Sequence, residues 1–191
     1  MGFSVERKTK ETQIQAEIDF VDSPTVAIDT SLPFFDHLLT SMAFHGRMAC
    51  SIHARGDVEV DPHHLVEDTG LVLGSCIKAF CDERGPVERF GNSVVPMDDA
   101  RSEVVIDLSG RPYLVYEANL PQSTAGTFDL SLIREFLHGL TTTGAFNLHA
   151  QCTYGLNSHH MVEALFKALG RALYIACRPV GGEIRSTKGS L

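Results

Sequence analysis

The chain carries one short motif twice, and this repeat constrains its fold more than any other feature. Residues 63–67 read His-His-Leu-Val-Glu, and residues 159–163 read His-His-Met-Val-Glu, 96 positions later. Each block opens a segment whose apolar residues recur every three or four positions, which is typical of an amphipathic helix. Gly85-Pro86 follows the first segment and Pro179 follows the second, and such residues end helices. We therefore predict that each block begins a helix.

Residues just before the blocks predict how these helices start. Asp61 is a suitable cap for the first helix, with Pro62 at its start, because proline tolerates the first helical position. Asn157 or Ser158 is a suitable cap for the second helix. Both helices should therefore present the two histidines in their first turn.

A second matched pair of segments precedes the two blocks. Residues 34–39 read Phe-Phe-Asp-His-Leu-Leu and lead to His45-Gly46, whereas residues 133–137 read Ile-Arg-Glu-Phe-Leu and lead to Thr143-Gly144. This pair is offset by 98 positions, which aligns His37 with Glu135. We predict a short helix for each segment, followed by a strand.

Several stretches are predicted as strands. Residues 12–20 alternate apolar and polar side chains, as a half-buried strand does. Residues 25–29 are expected to pair back with them, and residues 103–108 and 113–118 to form a hairpin across Ser109-Gly110-Arg111-Pro112. After the two short helices we expect strands at 48–53 and 146–152.

These elements predict an α+β fold that is internally duplicated, with mostly antiparallel sheets and two helices per half packed on one face. The first repeat half covers residues 1–90 and the second covers residues 91–191, within one compact unit. The join is expected near residues 86–100.

Composition excludes several classes of function. The net charge of −8 argues against a nucleic-acid-binding surface, which needs a basic face, and against binding to anionic lipid. No run of apolar residues is long enough to span a membrane, and the N-terminus has no apolar leader. The five cysteines show no C-x-x-C spacing and fit reduced thiols, so we expect a cytoplasmic protein.

The repeated motif also predicts metal binding. Residues four apart lie on the same face of a helix, so His63 can share an ion with Glu67, as His159 can with Glu163. His64 and His160 point about 100° away and should reach a different ion. Mixed imidazole and carboxylate ligands suit manganese, iron or zinc. A histidine pair at a helix start is often only a surface feature, but its recurrence in both halves favours ligands.

Longer motifs carry a family resemblance. The chain resembles imidazoleglycerol-phosphate dehydratases from about residue 5 to its C-terminus, in the segments Pro33–Leu39, Gly56–Asp68, Asp107–Tyr113, Asn157–Ala168 and Ser186–Gly189. The resemblance implies a lyase of histidine biosynthesis that converts D-erythro-1-(imidazol-4-yl)glycerol 3-phosphate to 3-(imidazol-4-yl)-2-oxopropyl phosphate. It also implies a large homo-oligomer, typically of twenty-four subunits, with sites where subunits meet.

The same resemblance implies two Mn²⁺ ions per active site. One ion would be held by His37, His64, His159 and Glu163, and the other by His63, Glu67, Glu135 and His160. Family members can have histidine in place of Glu135, so its carboxylate is the departure from the pattern. The alternative for Glu135 is an exposed helix residue.

Further residues are assigned by the resemblance to substrate and catalysis. Substrate-binding roles fall on Glu11, His37, His45, Arg89, Arg111, Lys167, Ser186, Thr187 and Lys188. Catalytic roles fall on Glu11, His64, Glu67, His160 and Glu163. Without the resemblance, Arg89 reads as a surface arginine, Arg111 as a turn residue and Glu11 as a solvated residue at a strand end. The final segment, with Lys188, is expected to order over the substrate's phosphate.

Two other functions use the same residues. A di-metal hydrolase would take the same ligands but use metal-bound hydroxide as its nucleophile. A structural metal-binding protein would have saturated ions and no open coordination position. Release of phosphate without a keto product would indicate the first, and resistance of the ions to chelators would indicate the second.

Overall fold

A computed structural model describes residues 2–181 of the chain. Within these residues, four helices and ten strands follow one another. In chain order they are β1 (Phe3–Lys8), β2 (Thr12–Phe20), β3 (Val26–Asp29), α1 (Pro33–His45), β4 (Met48–Gly56), α2 (His63–Arg84), β5 (Phe90–Met97), β6 (Ala100–Asp107), β7 (Tyr113–Ala118), β8 (Thr124–Ala125), β9 (Phe128–Asp129), α3 (Leu132–Gly144), β10 (Asn147–Tyr154) and α4 (Ser158–Ala176).

Two four-stranded sheets have the same topology, which confirms the duplicated α+β fold. The strand order is β1-β2-β4-β3 in the first sheet and β5-β6-β10-β7 in the second. In each sheet the first three strands are antiparallel and the fourth is parallel to its neighbour. The β8–β9 pair has no counterpart among the strands of the first half.

Two predicted strand pairings are wrong. The segments 103–108 and 113–118 do not form a hairpin, because β10 lies between β6 and β7 and pairs with both. Likewise β3 pairs in parallel with β4 rather than back with β2. In both halves, a strand that comes later in the sequence lies between two earlier strands. The predictions missed this because the alternation of side chains along one strand does not indicate which strand lies beside it.

The predicted boundaries are otherwise close to the observed ones. The strand at 12–20 is confirmed, with Ile14, Ala16 and Ile18 buried and the intervening residues exposed. The short helices predicted at 34–39 and 133–137 are the cores of longer helices of thirteen residues each. Part of the expected join, residues 90–97, forms β5, the edge strand of the second sheet.

The helices of the two halves are exchanged. Helix α1 packs against α4, and α3 packs against α2, so each long helix lies beside the short helix of the other half. Both contacts are close because glycines meet in them: a side chain at Gly170 would clash with the carbonyl of Met42, and one at Gly74 with that of Leu140. This exchange brings the start of α1 beside the start of α4.

The start of α4 agrees with the prediction, whereas α2 begins one residue later than predicted. The Asn157 side chain accepts a hydrogen bond from the backbone N–H of His159, as predicted for the cap of α4. In α2, Asp61 Oδ1 accepts from the N–H of His63 at 2.8 Å, although the helix itself begins after Pro62. None of the helices in residues 2–181 combines the length and apolar character needed to cross a membrane.

Candidate metal centre

Three predicted ligands converge where α1 meets α4. Both His37 Nε2 and His159 Nε2 lie close to the same carboxylate oxygen of Glu163, at 3.0 and 3.1 Å. Their donor atoms all lie within 4.8 Å of one another. Metal–ligand bonds of about 2.1 Å at right angles place donor atoms about 3 Å apart, so this spacing fits one divalent ion. Two imidazoles and a carboxylate suit manganese, iron or zinc.

Glu163 is buried within this group and is held as a carboxylate. Lys167, one turn further along α4, donates to Glu163 Oε1 at 2.8 Å. Burial by itself would raise the pKa of Glu163, but the hydrogen bonds from Lys167 and His37 outweigh it and lower the pKa to about 2. The carboxylate is therefore ionised throughout the physiological range and available as a ligand.

The pseudo-equivalent pair on α2 is more widely spaced, and its carboxylate is more exposed than that of Glu163. His63 Nε2 and Glu67 Oε2 are 3.6 Å apart, and their side chains are 40% and 36% exposed. Glu135 lies on α3, which packs along α2, and Gly139 one turn after it lies against the backbone carbonyl of Glu67. Residues four apart share a helix face, so Glu135 is on the side of α3 that faces the start of α2. Its side chain is 28% exposed and pairs with Arg134 at 3.5 Å.

The second histidine of each block points elsewhere, as the helix geometry predicted. His160 Nδ1 lies 2.6 Å from Asp99 Oδ1, and His64 Nδ1 lies 3.1 Å from Asp57 Oδ1. The hydrogen bond to His160 and those from two backbone N–H groups hold the pKa of Asp99 well below its usual range. Within residues 2–181 neither histidine joins the His37 group. The sequence assigned no role to Asp57 and Asp99, which directly follow β4 and directly precede β6.

An apolar groove joins the two histidine groups. It has a volume of about 840 Å³ and is lined by Phe34, Phe128 and other apolar residues, with His37, His63 and His159 among its walls. Phe34 packs edge-on against the His159 ring at 5.0 Å between centroids. The groove is open enough to admit a small organic molecule with an aromatic ring.

Other predicted site residues lie apart from the His37 group. Glu11 ends the β1–β2 turn with its carboxylate 3.9 Å from His64 Nδ1 and 58% exposed. His45 lies eight residues, about 12 Å, along α1 from His37. Desolvation by burial and the positive charges of Lys167 and Arg171 lower the pKa of His45. Ser186, Thr187 and Lys188 lie outside the described residues.

The two predicted arginines lie together at the far end of the second sheet. Arg89 binds Asp107, with Nε 2.7 Å from Oδ1, and its guanidinium also packs over Phe90. Arg111 donates to the carbonyl of Ser109 in the turn after β6, which is the contact expected of a residue that stabilises this turn. Strand β5 separates Arg89 from Asp98 and Asp99, a length of roughly 25 Å. A single chain therefore does not bring the arginines to its own histidine groups.

Comparison with known proteins gives one consistent family. The family model described as imidazoleglycerol-phosphate dehydratase matches residues 30–173. The chain is 45% identical over 188 residues to the imidazoleglycerol-phosphate dehydratase of Lacticaseibacillus casei (strain BL23), covering 97% of each chain. It is also 45% identical over 190 residues to the enzyme of that name from Clostridium botulinum (strain 657 / Type Ba4), covering 98% of this chain and 96% of the relative.

Solved structures agree with the sequence relatives. The crystal structure of imidazoleglycerol-phosphate dehydratase from Staphylococcus aureus subsp. aureus N315 matches with a TM-score of 0.84 at 35% identity, covering 94% of this chain and all of that one. The Pyrococcus furiosus enzyme in complex with (S)-C348 matches with a TM-score of 0.86 at 38% identity, covering 98% of this chain and all of that one. Both fold and sequence are thus shared over nearly the whole length.

Proposed function

The chain belongs to the imidazoleglycerol-phosphate dehydratase family and is a hydro-lyase of histidine biosynthesis, and on that premise we propose that it works through two manganese ions. Its proposed substrate is D-erythro-1-(imidazol-4-yl)glycerol 3-phosphate, and its product 3-(imidazol-4-yl)-2-oxopropyl phosphate. The observation that carries the metal proposal is the convergence of His37 and His159 on one oxygen of Glu163.

The two ions would have different ligand sets. His37, His64, His159 and Glu163 would hold one, and His63, Glu67, Glu135 and His160 the other. Bound Mn²⁺ ions would act as Lewis acids and as a template for the substrate. The first set has one carboxylate and the second has two, so the second is the harder and more anionic site.

A complete site is proposed to need more than one copy of the chain. His64 and His160 point away from the groups that they would complete, and the arginine pair lies roughly 25 Å from the β5–β6 turn. That distance exceeds the length of a small phosphorylated substrate. We infer a homo-oligomer in which the arginine end of one copy faces the histidine groups of another, with twenty-four subunits as the family resemblance implies.

Other residues of the chain would bind the substrate and take its proton. Arg89 and Arg111 would bind the phosphate through charge-assisted hydrogen bonds, together with Ser186, Thr187 and Lys188 of the final segment. The apolar groove would hold the imidazole ring and limit the access of water. Glu11 is exposed and near His64, so its carboxylate is the candidate for taking the proton from the carbon beside the hydroxyl.

Product analysis tests this proposal against the di-metal hydrolase. The Mn²⁺-loaded chain is incubated with imidazoleglycerol phosphate, and keto product and inorganic phosphate are both measured. We expect one keto product for each substrate consumed and no phosphate release. Phosphate release without a keto product would instead identify a hydrolase.

A further inference from the structure

The geometry points to Asp57 and Asp99 as positioning residues that orient His64 and His160 and leave the Nε2 atom of each ring to a metal ion. This inference rests on the proposed function, because it concerns the two histidines that would complete the ion sites. Neither aspartate is itself proposed as a ligand. Each acts on the ring nitrogen opposite the one that would bind metal.

The Asp99 carboxylate makes contacts on both sides. Its Oδ1 atom lies 2.6 Å from His160 Nδ1, while Oδ2 accepts backbone N–H groups of Leu156 at 2.5 Å and Asn157 at 3.0 Å. The first contact fixes the ring, and the others attach the β5–β6 turn to the residues that cap α4. Asp99 is thus held in place by the two residues that directly precede the helix whose histidine it holds.

The His64 side has the same arrangement with another aspartate. Both carboxylate oxygens of Asp57 lie close to His64 Nδ1, at 3.1 and 3.2 Å. The backbone N–H of Asp57 donates to the carbonyl of Glu11, which links the loop before α2 to the β1–β2 turn. The Asp57 and His64 side chains are 27% and 34% exposed, so both remain partly accessible to an incoming ion.

A carboxylate at Nδ1 determines the tautomer of the ring. A carboxylate only accepts hydrogen bonds, so a neutral imidazole bonded to it carries its proton on Nδ1. Its Nε2 atom then has a lone pair available for a metal. Metal-binding histidines commonly have such a carboxylate partner, and its loss costs about 10- to 100-fold in metal affinity or activity.

The two aspartates occupy positions that are not equivalent in the duplication. Glu11 and Asp99 are equivalent in the duplication, since each is the last residue before the second strand of its sheet. In the second half this residue contacts the Nδ1 atom of the histidine, while the exposed Asp98 carboxylate lies 3.8 Å from its Nε2 atom. In the first half Asp57 makes the Nδ1 contact, and Glu11 stands 3.9 Å from the ring. We infer that Asp57 takes over the positioning role and leaves the Glu11 carboxylate for the substrate.

Asparagine substitution isolates the effect of the tautomer. Asp99→Asn retains an oxygen for the backbone N–H groups of Leu156 and Asn157, but its amide N–H₂ turns toward His160 and donates to Nδ1. The ring then carries its proton on Nε2, where it blocks the ion. Asp57→Asn should act in the same way on His64. Glu59→Gln is the matched control, because Glu59 is exposed in the same loop and its substitution removes the same charge.

Equilibrium binding of Mn²⁺ to the assembled protein is the test, with unbound Mn²⁺ measured by electron paramagnetic resonance. We expect the unmodified protein and Glu59→Gln to bind two ions per chain. Asp99→Asn and Asp57→Asn should each bind one of the two about 10- to 100-fold more weakly and retain the other. Asp99→Asn should add nothing further to His160→Ala, whereas it should add its full effect to His64→Ala.

Two results would overturn the inference, and a third would overturn the proposal beneath it. The first is that Asp99→Asn and Asp57→Asn bind both ions as tightly as the unmodified protein. The second is that the effects of Asp99→Asn and His160→Ala are additive. Either outcome removes the positioning role while leaving the metal sites intact. If the unmodified protein itself binds no Mn²⁺, the proposed function fails first.

Discussion

The Sγ atoms of Cys81 and Cys177 lie 4.0 Å apart, although 96 positions separate them in the sequence. This is the same interval that separates the two His-His-x-x-Glu blocks, so the two cysteines are equivalent residues of the duplication. Equivalent residues meet only at the axis that relates the two halves. The ends of α2 and α4 therefore meet at the approximate two-fold axis of the chain.

The thiols provide a test of this packing. Burial raises the pKa of Cys50 and Cys76 to about 12 and that of Cys152 to about 11, so these three remain protonated at pH 8. Cys177 is buried at the axis, and only Cys81 is partly exposed. A thiol reagent should label at most one cysteine in the native protein at pH 8 and all five after denaturation. Rapid labelling of three or more in the native state would contradict the packing.

The exchange of helices predicts a large cost for a side chain at Gly170. A Cβ atom there would lie 2.0 Å from the carbonyl oxygen of Met42, which cannot move without separating α1 from α4. We expect Gly170→Ala to lower the free energy of unfolding by about 1–3 kcal/mol or more. Gly181→Ala is the control, because a Cβ atom there would meet no other part of the described chain within 4 Å, apart from its sequence neighbours. Denaturant unfolding of both variants measures the difference, and equal stabilities would count against the close helix contact.

Glu135 tests the pseudo-symmetry of the ligand sets. It is aligned with His37 and lies on the face of α3 directed toward the start of α2. Glu135→Gln should weaken one of the two ions selectively, whereas Glu135→His should keep both, since imidazole is also a ligand for Mn²⁺. Metal content after dialysis measures this. Two fully bound ions in Glu135→Gln would instead show that Glu135 is not a metal ligand.

The separation of arginines and histidines predicts complementation between inactive variants. His159→Ala removes a ligand at one end of the fold, and Arg111→Ala removes a cation at the other. If a site uses both ends from different copies, dissociating and reassembling an equal mixture should restore up to roughly a quarter of the activity, by random assortment. A mixture of His159→Ala with His37→Ala should restore none, because both residues belong to one group. Absence of recovery in the first mixture would indicate that each chain builds its own site.

Much of the fold could be predicted from the sequence, because the duplication repeats the patterns that predict the helices in both halves. The paired blocks predicted α2 and α4, and the alignment of His37 with Glu135 predicted α1 and α3. The strand partners were not predictable in this way, since β10 enters between β6 and β7 through contacts that span the sequence. The exchange of the helices depends on the glycine contacts and likewise leaves no local pattern.

The candidate site, too, could be predicted only in part. Spacing of four residues brought His159 beside Glu163, and the same rule applied to Lys167 would have predicted its ion pair with Glu163. The roles of Asp57 and Asp99 were missed because acidic turn residues are common. Their role depends on which ring nitrogen each aspartate contacts, and the tertiary structure determines that contact.

Metal content and activity, measured on the same preparation, test the central claim most directly. Mn²⁺ bound per chain and conversion of imidazoleglycerol phosphate are determined before chelation, after chelation and after Mn²⁺ is restored. We predict two ions per chain at the start, loss of conversion when they are removed, and recovery in proportion to the Mn²⁺ that rebinds. Full conversion by a preparation shown to contain no metal would contradict the account.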